Sequence, residues 1–212
     1  MPTVDDFILD KFRKLRDGHV TAVEAEGDIV QITRSDQRPT RFGILRAEDV
    51  KASDVAPLLE GGVDFVANIP RVGIFQADAI EVLAEHGVSW GGLADAMRAT
   101  RLDDPRAYVP YPHQFVLDGL KRHQRVVSIR HIDSRRIKVE RGDNMPDLVL
   151  YVEDSYQAEV ASVRFAIDRC SPFDVFVATN PNAGPTEAAI AAAGEAGLEI
   201  LRWGPLLSRL NR

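Results

Sequence analysis

Four blocks of residues recur in the same order along this 212-residue chain, each displaced by 107 to 111 residues. The paired blocks share their apolar positions, and they are residues 7–12 with 115–120, 29–36 with 136–143, 63–70 with 173–181, and 79–88 with 189–198. Four matches that keep their order are not expected by chance, so the pattern predicts a tandem duplication of a unit of about 100 residues. The repeat constrains the fold strongly, because one architecture must suit both halves.

Each half is predicted to form the same run of elements. An amphipathic helix is followed by short strands, a helix, a buried strand, a second helix, a last strand and a helical tail. The first three strands are predicted at residues 20–24, 29–33 and 41–45, and again at 126–130, 136–140 and 148–152. This order implies a mixed sheet with helices packed on it. The predicted fold class is therefore α/β, with two repeated modules related by a pseudo-twofold axis, like a covalent symmetric dimer.

A proline-rich segment separates the halves. Pro105, Pro110 and Pro112 fall within eight positions, a density that disfavours a helix and favours an extended, fairly stiff connection. The predicted organisation is a first repeat at residues 1–103, a linker at 104–113 and a second repeat at 114–212.

The end of the second half has a recognisable pattern. It reads Val-Ala-Thr-Asn at residues 177–180, Pro-Thr-Glu-Ala at 185–188, Gly-Leu-Glu-Ile at 197–200 and Leu-Leu-Ser-Arg-Leu at 206–210. This stretch resembles the closing strand–helix–strand–helix of Mrr-type members of the PD-(D/E)XK restriction-endonuclease superfamily. The resemblance covers the last third of each half, and the opening helix and three strands are compatible with it. It implies that each module has a restriction-endonuclease-like fold.

The resemblance also implies an active site. The family places an acid at the start of the second core strand and an acid-x-lysine at the end of the third. The two carboxylates hold Mg²⁺, and the lysine steadies the attacking water or the transition-state charge. The matching candidate catalytic residues are Asp28 and Glu48 in the first half and Asp133 and Glu153 in the second. Asp133 and Glu153 would be the metal ligands if the protein is an active nuclease.

Antiparallel pairing of the second and third strands is expected to bring each acid pair together, since both pairs are separated by 20 residues. Neither half has the lysine, because Lys51 is out of register and Ser155 stands in the second half. When the strands of the two halves are aligned, the residue that corresponds to Asp133 is Glu26 rather than Asp28. The alternative interpretation is that the four candidate acids are simply hairpin and strand-end residues that face water.

A basic stretch lies at residues 121–141, where eight basic residues meet only two acidic ones. A strand face of this kind could contact phosphates, or it could be a solvated outer strand whose charges discourage edge pairing. The candidate nucleic-acid-binding residues are Arg125, Arg130, Arg135, Arg136, Lys138 and Arg141. His113 and His123 frame a helix and are expected at the surface.

Composition narrows the class of protein. A net charge of -6 and a pI near 5.4 argue against non-specific coating of nucleic acid. No apolar run approaches a membrane span, the N-terminus does not read as a signal peptide, and the lone Cys170 fits a reducing cytoplasm. No phosphate-binding loop, nucleophile elbow or zinc-protease motif is present in the sequence.

The leading hypothesis is a non-catalytic, nuclease-like binding or assembly protein, with a nucleic-acid-linked or defence role as the context that the resemblance implies. The missing lysine and the acidic balance motivate it, and no cofactor is expected. One alternative is an active nuclease that depends on Mg²⁺, and another is a pure protein–protein interaction module. The expected partners are nucleic acid or another protein, or a second copy of the chain, in the cytoplasm and without a membrane.

Overall fold

The computed structural model describes residues 4–15, 20–35, 37–153 and 155–212, without the side chains of residues 111 and 112. The chain divides into two compact units, Met1–Pro110 and Tyr111–Arg212. Each unit is a mixed α/β structure built on one five-stranded sheet. The predicted mixed sheets with flanking helices are thereby confirmed. No helix in the described ranges has the length and apolarity needed to cross a membrane.

The first unit has eleven α-helices and β-strands within its described residues. They are α1 (Asp6–Arg13), β1 (Val20–Glu26), β2 (Ile29–Arg34), β3 (Thr40–Leu45), β4 (Asp49–Val50), α2 (Ala52–Glu60), β5 (Phe65–Asn68), β6 (Ile74–Phe75), α3 (Ala77–Glu85), β7 (Ser89–Gly92) and α4 (Leu93–Ala99). The main sheet has the order β1-β2-β3-β5-β7. Its first three strands are antiparallel, and β3, β5 and β7 are parallel. β4 and β6 form a separate parallel pair.

Helices cover both faces of this sheet, because its central strands carry apolar side chains on each side. On one face, Phe12 of α1 packs against Phe42 of β3 with ring centroids 5.4 Å apart, and Phe42 packs against Phe65 of β5 at 5.9 Å. On the other face, Val55 of α2 and Leu83 of α3 belong to a second buried cluster. The unit is therefore a helix–sheet–helix sandwich.

The second unit has the same order of main elements. They are α5 (Tyr111–Lys121), β8 (Val126–His131), β9 (Arg136–Arg141), β10 (Leu148–Glu153), α6 (Val160–Cys170), β11 (Val175–Ala178), α7 (Glu187–Glu195), β12 (Glu199–Arg202) and α8 (Trp203–Arg209). The sheet order is β12-β11-β10-β9-β8. Val116 of α5 and Leu206 of α8 are buried on one face. On the other, Tyr151 packs against Phe173 at 5.4 Å and Phe176 at 5.1 Å.

The two sheets share local details of register. β2 and β9 show the same alternation of half-buried and buried residues, and β3 and β10 share a second pattern. Each first hairpin has an irregularity at the same place, between Val20 and Ala22 and between Val126 and Ser128. The last two helices of each unit begin and end at a constant offset of 110 residues.

The proline-rich segment differs from the predicted extended linker. Pro105–Ala107 forms a 3-10 turn, in which the Asp104 carboxylate accepts the backbone N–H of Arg106 at 3.1 Å. Helix α5 begins at Tyr111, so residues 111–113 are helical. A proline is tolerated in the first turn of a helix because the N–H that it lacks would have no partner within the helix.

This segment is also anchored to the first unit. The Arg106 Nε lies 2.8 Å from the buried carboxylate of Asp64. The Tyr108 hydroxyl donates to Asp95 at 2.6 Å, and its carbonyl accepts a hydrogen bond from Ser89. Residues 104–108 therefore belong to the first unit and do not form a free connection.

Candidate site at the second hairpin

Asp133 lies in the turn that joins β8 and β9, and only 1% of its surface is exposed. Its Oδ1 atom accepts the backbone N–H groups of Arg135 and Arg136, each at 2.7 Å. Its Oδ2 atom accepts the Arg136 Nε–H at 2.8 Å. An aspartate whose side chain accepts backbone N–H groups two and three residues ahead is a common way to hold a tight turn. Both oxygens of Asp133 therefore have protein donors.

Glu153 lies at the end of β10, next to this turn. The register places Tyr151 opposite Arg136, and the Val152 N–H donates to the Arg135 carbonyl at 2.8 Å. Continuing that ladder sets Glu153 opposite residue 134, one position from Asp133. The Glu153 carboxylate accepts the Ser155 N–H at 3.1 Å on Oε1 and the Tyr151 hydroxyl at 3.3 Å on Oε2.

The first unit does not bring its acids together in the same way. Ile29 pairs with Gly43, and the Ile44 N–H donates to the Asp28 carbonyl at 2.8 Å. The ladder therefore sets Asp28 opposite Ile44, four positions short of Glu48. The expectation that strand pairing joins Asp28 to Glu48 is wrong, because equal spacing along the chain is not equal register across a hairpin. Both side chains lie at the surface.

The magnesium ion that the resemblance implies does not fit the second unit as it is folded. Asp133 Oδ1 already accepts two backbone N–H groups, and Oδ2 lies 2.8 Å from the Arg136 guanidinium, whose positive charge opposes a metal ion at the same oxygen. The described residues contain no group of three or more His, Cys, Asp or Glu side chains arranged for a metal ion. Asp154, the acid that follows Glu153, lies outside the described residues.

The position two residues after Glu153, where the resemblance expects lysine, holds Ser155. Its hydroxyl donates to the Gln157 carbonyl at 3.0 Å. The cation that contacts Asp133 comes instead from the hairpin, as Arg136. The Arg136 guanidinium is held between the Asp133 carboxylate and the Pro172 carbonyl.

Two histidines adjoin this corner, and one was expected at the surface. The His113 ring of α5 stacks on the His131 ring of β8, with centroids 5.5 Å apart and planes 25° apart. His113 is only 8% exposed, so its surface assignment is wrong. The helical spacing contained the missed signal, because His113 lies three and seven residues before the buried Val116 and Leu120.

Burial controls the protonation of these groups. It lowers the pKa of His113 to about 3, assisted by the neighbouring His131 and Arg135 and opposed by a hydrogen bond to the Ser134 backbone. Burial also lowers the pKa of His131, while Asp133 opposes that shift. Both imidazoles are therefore neutral at pH 7.

Two other groups of the corner are also un-ionised at neutral pH. Burial raises the pKa of the Tyr151 phenol, and nearby Arg135 works against this shift. Burial, assisted by Asp133, raises the pKa of the Cys170 thiol to about 11. A nucleophilic cysteine needs the thiolate form. The corner thus contains no activated nucleophile among these groups.

Most of the predicted nucleic-acid-binding side chains have partners within the protein. Arg125 pairs with Asp143, and the Lys138 ammonium lies 2.7 Å from Asp147. Arg136 is committed to Asp133. An ion pair lowers the charge available for phosphates, so this stretch is not the continuous basic face that the sequence suggested.

The remaining three arginines have different environments. Arg141 is 7% exposed and donates to the carbonyls of Pro146 at 2.7 Å and Arg209 at 3.3 Å, so its assignment to a nucleic-acid surface is wrong. Arg135 is half-buried near the histidine pair. Arg130 is exposed and lies across the strand pair from Lys138.

A buried arginine performs the same task in both units. Arg34, at the end of β2, donates to the Thr100 carbonyl at the end of α4. Arg141, at the end of β9, donates to the Leu210 carbonyl at the end of α8 at 3.5 Å. The last carbonyls of a helix have no partner within it, and a cation there also interacts favourably with the helix dipole. These arginines join the second strand to the last helix.

No known protein family, curated protein or solved structure matches this chain.

Proposed function

We propose that this chain is a tandem duplication of a restriction-endonuclease-like unit that lacks nuclease chemistry and acts as a non-catalytic binding or assembly protein. One observation carries the proposal. Asp133, the acid on which a metal-dependent mechanism would depend, is buried and accepts three N–H donors from its own hairpin. One oxygen of this carboxylate already accepts two hydrogen bonds and the other faces a guanidinium, so a metal ion would have to displace that cation.

The matching geometry of the two units supports the duplication. Their sheets share strand order and the irregularity in the first hairpin. Arg34 and Arg141 make equivalent contacts to the last helix. The element order, with a helix and three strands before the strand–helix–strand–helix ending, is the order that the resemblance implied.

A protein partner is favoured over nucleic acid. Four of the six predicted phosphate-binding residues, namely Arg125, Arg136, Lys138 and Arg141, are engaged by acids or carbonyls of their own unit. The chain has a net charge of -6. Nucleic acid binding depends on cations that can replace counterions at phosphates.

A cleavage assay with Mg²⁺ or Mn²⁺ on single- and double-stranded DNA and RNA tests the proposal. We expect no cleavage. Cleavage by the purified protein that is abolished by Asp133→Ala with Glu153→Ala, and retained by Asp28→Ala with Glu48→Ala, would establish an active nuclease instead. The first-unit variant is the matched control because it removes the same two residue types from a site whose acids do not meet.

Fluorescence anisotropy with labelled nucleic acid across a salt series separates the two kinds of partner. If the partner is a protein, we expect no salt-dependent binding of the labelled nucleic acid. Binding that weakens steeply with salt, and that Arg130→Ala diminishes, would show that nucleic acid is the ligand. Arg130 is the informative position because its side chain is exposed on the outer strand.

A further inference from the structure

We infer that the Arg136 guanidinium is a built-in cation that takes the place of a divalent metal ion beside Asp133, so that removing it opens this corner to such an ion. The inference rests on the proposed relationship to nucleases. It goes further by assigning the residue that stands in for the metal.

The guanidinium bridges two oxygen atoms from separate segments. Its Nε lies 2.8 Å from Asp133 Oδ2, and its Nη1 lies 3.3 Å from the carbonyl oxygen of Pro172, after the end of α6. A carboxylate and a backbone carbonyl are also typical ligands of hard divalent cations. The Arg136 side chain is only 15% exposed, so this cation is largely removed from water.

Burial explains why a cation is needed at this place. A carboxylate that is removed from water must be paired or hydrogen-bonded, because losing its hydration is costly. Two backbone N–H groups satisfy Oδ1 of Asp133 but add no full positive charge. Arg136 supplies that charge, and Glu153 lies one ladder position away as a second carboxylate.

The first unit shows the alternative arrangement. Ile29 begins β2 as Arg136 begins β9, and Glu26, three residues earlier, corresponds to Asp133. The Glu26 side chain is 90% exposed and lies 3.6 Å from the Arg41 guanidinium. An exposed acid keeps its hydration and needs no internal cation. The buried acid and its guanidinium therefore occur together in the second unit and are both absent at the matching positions of the first.

Thermal unfolding of Arg136→Met, with and without millimolar Mn²⁺, tests the inference. Methionine keeps a similar length without charge, and we expect a loss of roughly 5–10 °C in Tm because a buried carboxylate loses its partner. Mn²⁺ should restore most of that loss, and NaCl of matched ionic strength should not. The Tm of the unaltered protein should not respond to Mn²⁺.

Two further variants make the result specific. Asp133→Asn combined with Arg136→Met removes both charges, and its Tm should be unaffected by Mn²⁺. Arg125→Met removes an exposed ion pair on the same hairpin and should neither lose much stability nor respond to the metal. If Arg136→Met does not fold in metal-free buffer, its recovery on refolding with Mn²⁺, compared with matched NaCl, becomes the measurement.

Two results would overturn the inference. Absence of Mn²⁺-specific recovery in Arg136→Met would show that the corner is no latent metal site, while the proposed non-catalytic function would stand. Mn²⁺ binding by the unaltered protein, seen as enhanced water-proton relaxation and lost in Asp133→Asn, would show that Arg136 does not replace a metal. The cleavage assay then decides separately whether the proposed function also fails.

Discussion

Acidification is expected to destabilise the second unit through His113. This imidazole is buried and stacks on His131, and burial, assisted by the charges of His131 and Arg135, lowers its pKa from 6.5 to about 3. Because the unfolded chain binds the proton more readily than the folded unit does, the stability associated with the neutral ring is fully present above pH 6.5. That stability is lost as the pH falls from 6.5 toward 3.

The size of the loss follows from the two pKa values. Each pH unit between them contributes about 1.36 kcal/mol. Relative to pH 7, His113 should therefore lower the free energy of unfolding of the second unit by about 2 kcal/mol at pH 5 and about 3 kcal/mol at pH 4. The loss is large relative to the roughly 5–15 kcal/mol by which domains are normally stable.

Urea unfolding at pH 7, 6, 5 and 4 measures this effect, with His113→Phe as the comparison. Phenylalanine keeps an aromatic ring against His131 but does not titrate. The difference in unfolding free energy between the two proteins should move by about 3 kcal/mol in favour of the variant between pH 7 and pH 4. Parallel pH profiles for the two proteins would refute the reasoning. The fluorescence of Trp90 in the first unit and Trp203 in the second, recorded in single-tryptophan variants, shows whether the effect is confined to the second unit.

Three further substitutions test the packing argument. Arg141→Met should destabilise the second unit by about 2 kcal/mol in urea unfolding, because carbonyls at the end of α8 lose a buried donor; an unchanged midpoint would contradict this. Asp64→Asn should cost the first unit about 2 kcal/mol and increase proteolysis of residues 104–108, because two arginines lose their shared carboxylate. Gly119→Ala should lower Tm although alanine favours a helix by about 1 kcal/mol, because the added Cβ would overlap the Trp203 ring. Gly194→Ala is its control, since the added Cβ meets nothing within 4 Å and Tm should rise.

The sequence by itself determined most of the helices and strands and the sheet class. Alternating apolar residues in β2 and β9 and helical spacing in α1 and α5 are local patterns, and each is read within a few residues of the chain. The proline-rich segment departs from its local pattern. The density of its prolines predicts an extended segment, but Pro105 begins a 3-10 turn that Arg106 attaches to Asp64.

Only the tertiary structure decided what the charged residues do. Arg130 and Arg141 look alike in the sequence, yet one is exposed on an outer strand and the other is buried under the end of α8. Asp28 and Asp133 occur in similar hairpins, but a register offset separates the first from Glu48 and sets the second beside Glu153. Burial and cross-strand register depend on residues far apart in the chain, so the availability of a charge cannot be read from its neighbours in sequence.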